Sequence, residues 1–281
     1  MSNADSVIYN IDNLIDYATC PYKYRFRVSE PSKNNKYINT DNRDRIGSIL
    51  RSIYIHHLVQ KGLGNNLTLR ALNVAFSKAL VKEKLIGVQG FQVSNTSGVS
   101  HETANNSVII NPTELISYLE SIRNFYALID VYEKNHFHIV AVEYPIERTF
   151  IDRNETSFSI RSNQDVILYN ETSGNKILLC ISFDHKFSNN FGTVLKACLN
   201  YVQIKRELIG ENVDVNNIIL DPFSLKQTEV KLDQDHRLNY PRILKSLVES
   251  IQNKVYYPRV SNGACEHCIY KDKCIWSFKK K

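Results

Sequence analysis

Several features are missing from this 281-residue chain, and each absence narrows what it can be. No apolar run reaches the roughly 20 residues that a bilayer-spanning helix needs, so no membrane is expected among its partners. No charged-then-apolar leader of the signal-peptide kind is visible, which points to a reducing cytoplasm and unpaired cysteines. No internal repeat stands out. Methionine occurs once, beside many Asn and Ile, the bias of an AT-rich coding sequence. What remains is 43% hydrophobic, enough for one good-sized core with a helical insertion. The net charge of +6 is modest; its sign suits a polyanion, and alone it is equally ordinary.

The chain is organised around Lys176–Lys186. After Lys176 it runs through apolar and β-branched residues, as a buried strand does, and it ends in Asp184-His185-Lys186. Alternation along a strand puts Asp184 and Lys186 on one face. A carboxylate and an ammonium at the mouth of an apolar strand are costly unless they pair or hold something. The preceding segment, Arg161 to Tyr169, reads as the partner strand, and Ser173-Gly174 as the turn between them. Pairing symmetric about that turn sets Asp165 opposite Ser182 and diagonal to Asp184, on the same face. A slip of one residue would move it to the other.

Two convergent carboxylates repel unless a cation lies between them, and oxygen ligands suit Mg²⁺ or Mn²⁺. Such an ion can activate water and neutralise a phosphate, and a neighbouring ammonium can orient the water. Phosphodiester hydrolysis is therefore one expectation, and a surface ion-pair cluster is the plainer alternative.

Near the C-terminal end stands Cys265-Glu-His-Cys268-Ile-Tyr-Lys-Asp-Lys-Cys274, a spacing that points to a metal or cluster site. Tetrahedral thiolate sites take four ligands. Cys20, in Thr19-Cys20-Pro21-Tyr22, is the candidate fourth, with His267 its rival. Zn²⁺ and an iron–sulfur cluster are equally compatible with the spacing. A disulfide fits less well, because nothing suggests export. Either metal would tie residue 20 to residue 265 and beyond, turning coordination energy into folding energy. Cys180 and Cys198 lie in apolar segments and read as inert core residues.

Taken together, these residues resemble the PD-(D/E)XK nuclease superfamily, in the branch that carries an iron–sulfur staple. That branch includes the CRISPR-associated exonucleases and the nuclease domain of AddB-type helicase–nucleases. The likeness runs in order along nearly the whole chain: Leu14 to Tyr24 with Cys20, Gly47 to Arg51 on a helix, and Glu143 at the end of an apolar strand. Asp165, then Asp184-His185-Lys186, then Cys265, Cys268 and Cys274 complete it.

The resemblance implies a restriction-endonuclease-like α/β fold, with a mixed central sheet flanked by helices, a helical insertion and a C-terminal cysteine cluster. It implies a deoxyribonuclease acting on single-stranded DNA or ends, in CRISPR adaptation (antiviral defence) or DNA repair by recombination, with a helicase or adaptation protein as partner. Asp165, Asp184 and the His185 carbonyl would bind Mg²⁺ or Mn²⁺. Lys186 would place the attacking water, and Glu143 would be a further ligand or base. Cys20, Cys265, Cys268 and Cys274 would hold a structural 4Fe-4S cluster. Two positions depart from the pattern. Arg51 stands where the family often has a metal-binding histidine, and His56 and His57 lie about 140° and 240° away round that helix. The usual glutamine of the next helix has only Tyr201 and Gln203 nearby. A catalytically weakened module that binds DNA or protein, stapled by a cluster or zinc, is the alternative these departures suggest.

Along the chain, helices are expected at about 11–28, 45–61, 67–86, 112–134, 193–209 and 234–253. Strands are expected at about 136–143, 145–151, 156–162, 164–169, 177–186, 214–220 and 227–232. Residues 90–111 are rich in Ser, Thr, Asn and Gly and read as a loop or insertion tip. The expected organisation is one domain over 1–281: a helical subdomain at 45–134, a nuclease core at 136–232, and a staple from residue 20 to 265–274. Lys196, Lys205, Arg206 and the run Lys23–Arg27 are basic positions that can meet DNA or simply face solvent.

Overall fold

The computed structural model describes residues 7–29, 42–85, 110–151, 157–172, 175–184, 191–208 and 213–258, together with Cys265 and Cys274. In chain order these give β1 (Val7–Asn10), α1 (Ile11–Thr19), α2 (Pro21–Ser29), α3 (Asn42–Gly62), α4 (Leu69–Lys82) and α5 (Pro112–Lys134). Then come β2 (His138–Ile151), β3 (Ser157–Thr172), β4 (Asn175–Phe183), α6 (Phe191–Leu208), β5 (Asp214–Leu220), β6 (Gln227–Glu229) and α7 (Gln234–Gln252). The architecture is α/β: a mixed six-stranded sheet with helices on both faces. No helix among the described residues is long and apolar enough to cross a membrane.

Local chemistry sets most boundaries. Asn10 caps α1, Thr68 caps α4, Asn111 caps α5 and Asp233 caps α7, each side chain accepting an N–H of the first turn. Pro112 sits at the start of α5, where its missing N–H costs nothing. The single helix expected at 11–28 is two. Cys20 is extended (φ −157°, ψ 100°), and Pro21 opens α2. A residue before proline is pushed out of the α region, which explains the break. The expected strands at 136–143 and 145–151 are one, as are those at 156–162 and 164–169. Pro145 lies in β2, which pairs only with β3; an edge strand tolerates a missing donor.

β3 is the hub of the sheet. From Ser157 to Tyr169 it pairs antiparallel with β2. On its other edge Phe158–Arg161 takes β1 in parallel, while Val166–Thr172 takes β4 antiparallel. Residues 162–165 belong to neither ladder, so β1 and β4 part from β3 there and leave a fork. β5 lies parallel to β4, and β6 antiparallel to β5.

Two cores cover the two faces. One joins α3, α4 and α5 to Val166, Leu168, Leu179, Ile181 and Leu220 of the sheet. The other joins α1, α6 and α7 to Phe158, Ile160, Ile167, Leu178 and Cys180. Strict alternation along β2 fails twice: at a register shift between Ile139 and Ala141, and again at Glu143. Val142 faces the first core and Tyr144 the second, and between them Glu143 has φ +51°. β3 makes the same switch, from Ile160 on the second face to Val166 on the first. Register survives because Val142 pairs with Val166 and Tyr144 with Gln164. Glu143 and Asp165 occupy the switch.

α3 buries Leu50, Tyr54 and Leu58 almost completely, at four-residue spacing. His57 of the same helix is 2% exposed, and neither ring nitrogen has a hydrogen-bond partner. It lies against the ring of Tyr126 on α5. Its pKa is lowered, chiefly because burial disfavours the charged form and next because of Lys61, against the weaker pull of Asp130 and Glu133. The unfolded chain therefore takes a proton near pH 6.5 that the fold resists. Stability should be undiminished above that pH and fall as pH drops through it. Thermal unfolding at pH 7.5 and pH 5.5 tests this. The acid loss of melting temperature should shrink in His57→Phe; an equal loss in both proteins would refute the assignment.

Candidate functional site

Asp165 stands in the fork of β3, 7% exposed. Its Oδ2 accepts the N–H of Phe183 at 2.7 Å, in place of a ladder partner. Its neighbour Gln164 does the complementary job: Nε2 donates to the Ile181 carbonyl at 2.7 Å and lies 3.2 Å from Ser182 Oγ. Two side chains thus satisfy the backbone of β4 where the ladder ends, and fix the strand that leads to Asp184. The N–H of Asp184 in turn donates to the Leu220 carbonyl of β5 at 3.1 Å.

The other oxygen of Asp165 meets α3. Arg51 Nη2 lies 2.6 Å from Asp165 Oδ1 and 3.2 Å from Glu143 Oε1. Arg51 follows Leu50, which is fully buried, so packing of α3 fixes the root of the side chain beside the sheet. Its pKa is raised: burial works against the charge, and the hydrogen bonds and charges of Asp165 and Glu143 more than offset it. The guanidinium thus occupies the level at which both strands change face. Glu143 holds a left-handed backbone that side chains other than glycine rarely adopt, and its carboxylate reaches Arg51 from there.

Asp165 and Asp184 line one cavity of about 440 Å³ between the sheet, α1 and α6. Asp12 and Asp16 of α1 also line it, and Lys196 of α6 is the single lysine among its described walls, 3.2 Å from Asp12. Below them, Asn200 Nδ2 donates to the Gln164 amide oxygen at 3.1 Å and to the Asn163 carbonyl at 3.2 Å. Asn200 is 1% exposed and its Oδ1 has no partner. The cavity is acidic with a floor of amides. A polyanion enters such a space only with a cation beside it.

Sequence reasoning did not find Gln164 or Asn200. The available signal was a polar residue on the inward side of α6, next to Leu199. Gln203, considered for the missing family glutamine, is buried and donates to Glu207. Tyr201 lies under Arg237 and Lys205 instead of at the cavity. His185, Lys186 and Cys268 lie outside the described residues, and residues 86–109 cover nearly all of the expected loop at 90–111.

Cys20 and Cys265 are half-buried, as is Cys274. The turn at Cys20 is stitched to the far end of the chain: Tyr22 N–H donates to the Tyr257 carbonyl at 3.2 Å, and Tyr17 Oη donates to the Val255 carbonyl. Among the described residues no three of His, Cys, Asp and Glu gather as a metal-binding group. Cys180 and Cys198 are each 1% exposed, and burial pushes their thiols up to about 12 and about 11, so both are inert at neutral pH.

No family model matches the chain, and no curated protein does. Among solved structures the chain is similar to one described as "Crystal structure of SSO0001", at 16% identity and a TM-score of 0.34. That match covers 60% of this chain and 73% of the other. A likeness at this level carries no argument.

The two ion pairs of Arg51 differ in burial, since the Asp165 side chain is 10% exposed and that of Glu143 is 51%. A double-mutant cycle by urea unfolding should give a coupling of roughly 1–3 kcal/mol for Arg51→Ala with Asp165→Asn. With Glu143→Gln it should be below about 1 kcal/mol. Equal couplings would mean that Asp165 is hydrated and not clamped.

Proposed function

We propose that this chain is a metal-dependent DNA nuclease of the restriction-endonuclease-like fold, directed at single strands or ends. The reading rests on one observation above the others: Asp165 and Asp184 border a single acidic cavity at the fork of the sheet. Hard carboxylate oxygens suit Mg²⁺ or Mn²⁺. Each Asp165 oxygen accepts one described bond, and a carboxylate has about four lone-pair sites, so capacity remains for an ion. Asp165 and Asp184 would hold the ion, with the His185 carbonyl adding a ligand by resemblance. Bound there, the ion supplies positive charge against a phosphate and acidifies a water.

The chain's own groups do the rest. Asp165 is pre-oriented by the Phe183 N–H, so it need not reorganise when phosphate arrives. Gln164 and Asn200 keep the end of β4 in place. Lys186, two residues beyond Asp184, would hold the attacking water by its ammonium. Cys20, Cys265, Cys268 and Cys274 would hold a structural 4Fe-4S cluster. In support, the bonds from Tyr17 and Tyr22 tie the segment around Cys20 to residues 255 and 257, ahead of Cys265 in the chain. The net charge of +6 suits DNA as partner. A helicase or CRISPR-adaptation protein is the partner protein that the resemblance suggests.

One observation favours a second reading. Arg51 already pairs with Asp165 and Glu143 and offsets part of their charge, as it would in a nuclease-fold module that binds DNA or protein without cutting.

End-labelled single-stranded DNA with Mn²⁺ separates the two. Cleavage should be lost on chelation and fall by roughly a hundredfold or more in Lys186→Ala. Binding without Lys186-dependent cleavage would leave the second reading. For the staple, anaerobically purified protein should be brown, and Cys265→Ser should lose the visible absorbance; colourless protein containing zinc would replace the cluster.

A further inference from the structure

Arg51 is the site residue that departs from the resemblance, and its charge lies on the two carboxylates at the switch of the sheet. Both contacts run through Nη2, at 2.6 Å to Asp165 and 3.2 Å to Glu143. The arginine side chain is 30% exposed and reaches solvent, although it is not among the walls of the cavity that Asp165 and Asp184 line. A divalent ion on Asp165 would share that carboxylate with a guanidinium that cannot give up its charge. The two cations repel across a few ångströms, partly shielded from water. A carboxylate pair already neutralised in part also attracts an ion less. A phosphate changes the balance, because the guanidinium fork matches a phosphate in two-bond geometry and is weakly hydrated.

Resting on the nuclease reading, we propose that Arg51 is the resident cation of the site: it holds Asp165 and Glu143 until a phosphate of the nucleic acid draws it away, so that tight uptake of a divalent ion depends on nucleic acid. Occupancy of the site is then conditional. Without DNA the ion competes with an internal arginine. With DNA the arginine binds a phosphate, and Asp165 is released to the ion.

Mn²⁺ binding, read by the electron paramagnetic resonance of free Mn²⁺, tests this without reference to turnover. Asp165→Asn serves as the blank for sites elsewhere on the protein, and single-stranded oligothymidylate is the probe, added in a Lys186→Ala background. The parent protein should bind Mn²⁺ on the order of tenfold more weakly without the oligonucleotide than with it. Arg51→Gln should bind tightly without it and respond little to its addition. Arg51→Lys, which keeps the charge, should stay weak. Equal affinity in the parent and Arg51→Gln overturns the proposal. So does a parent affinity that ignores the oligonucleotide, a measurement that needs no variant at position 51 to fold. The nuclease reading fails differently: Mn²⁺ uptake follows the expected pattern while the otherwise native chain leaves labelled DNA uncut. The inference alone fails when DNA is cut and Arg51→Gln binds Mn²⁺ no better than the parent.

Discussion

A buried carboxylate in a gap of the sheet is the constraint on which the site depends. Where β1 and β4 leave β3, backbone groups lose their ladder partners, and unpaired buried groups are expensive. Asp165 and Gln164 supply the missing partners from their side chains, on the Phe183 N–H and the Ile181 carbonyl. The carboxylate that does so carries a charge that must itself be balanced, and Arg51 balances it at 2.6 Å. Fold and site therefore share one set of bonds. The fork creates the cavity, Asp165 holds the fork together, and α3 is anchored to it through a single guanidinium.

The switch of face at Glu143 and Asp165 explains how one residue can serve both sides of the sheet. In a regular strand Asp165 would belong wholly to the face of Ile167 and would never meet α3. The left-handed backbone at Glu143 and the matching irregularity in β3 turn the pair toward Arg51. Meanwhile Asp165 still borders the cavity that holds Asp184. Strain of that kind persists where the surrounding packing over-determines it, here by a register kept on both sides of the break.

Much of the architecture was legible because it depends on local pattern. Alternating apolar residues and capping side chains marked strands and helices, and the symmetry of residues 165–182 about Ser173-Gly174 agrees with the Val166–Ile181 pairing of β3 and β4. The two strands expected on each side of residue 144 and of residue 163 merged because a break in alternation looks like a break in the chain. Helix α2 is hidden behind α1 because a single extended residue, Cys20 before Pro21, separates them. At the site, Asp165 and Asp184 stood out by charge against an apolar background. Arg51 stood out only as a departure, since nothing in the order of residues told that it would reach two carboxylates 92 and 114 positions away. Asn200 and Gln164 were silent for a related reason: an amide inside an amphipathic pattern has no period of its own.

Crystals grown with Mn²⁺ and a single-stranded oligonucleotide, measured at the manganese anomalous edge, test the central claim most directly. The account predicts one strong peak at about 2.0–2.2 Å from carboxylate oxygens of both Asp165 and Asp184, with the Arg51 guanidinium turned to a phosphate. A cavity without a peak, with Arg51 still on Asp165 and the oligonucleotide bound elsewhere, would contradict it.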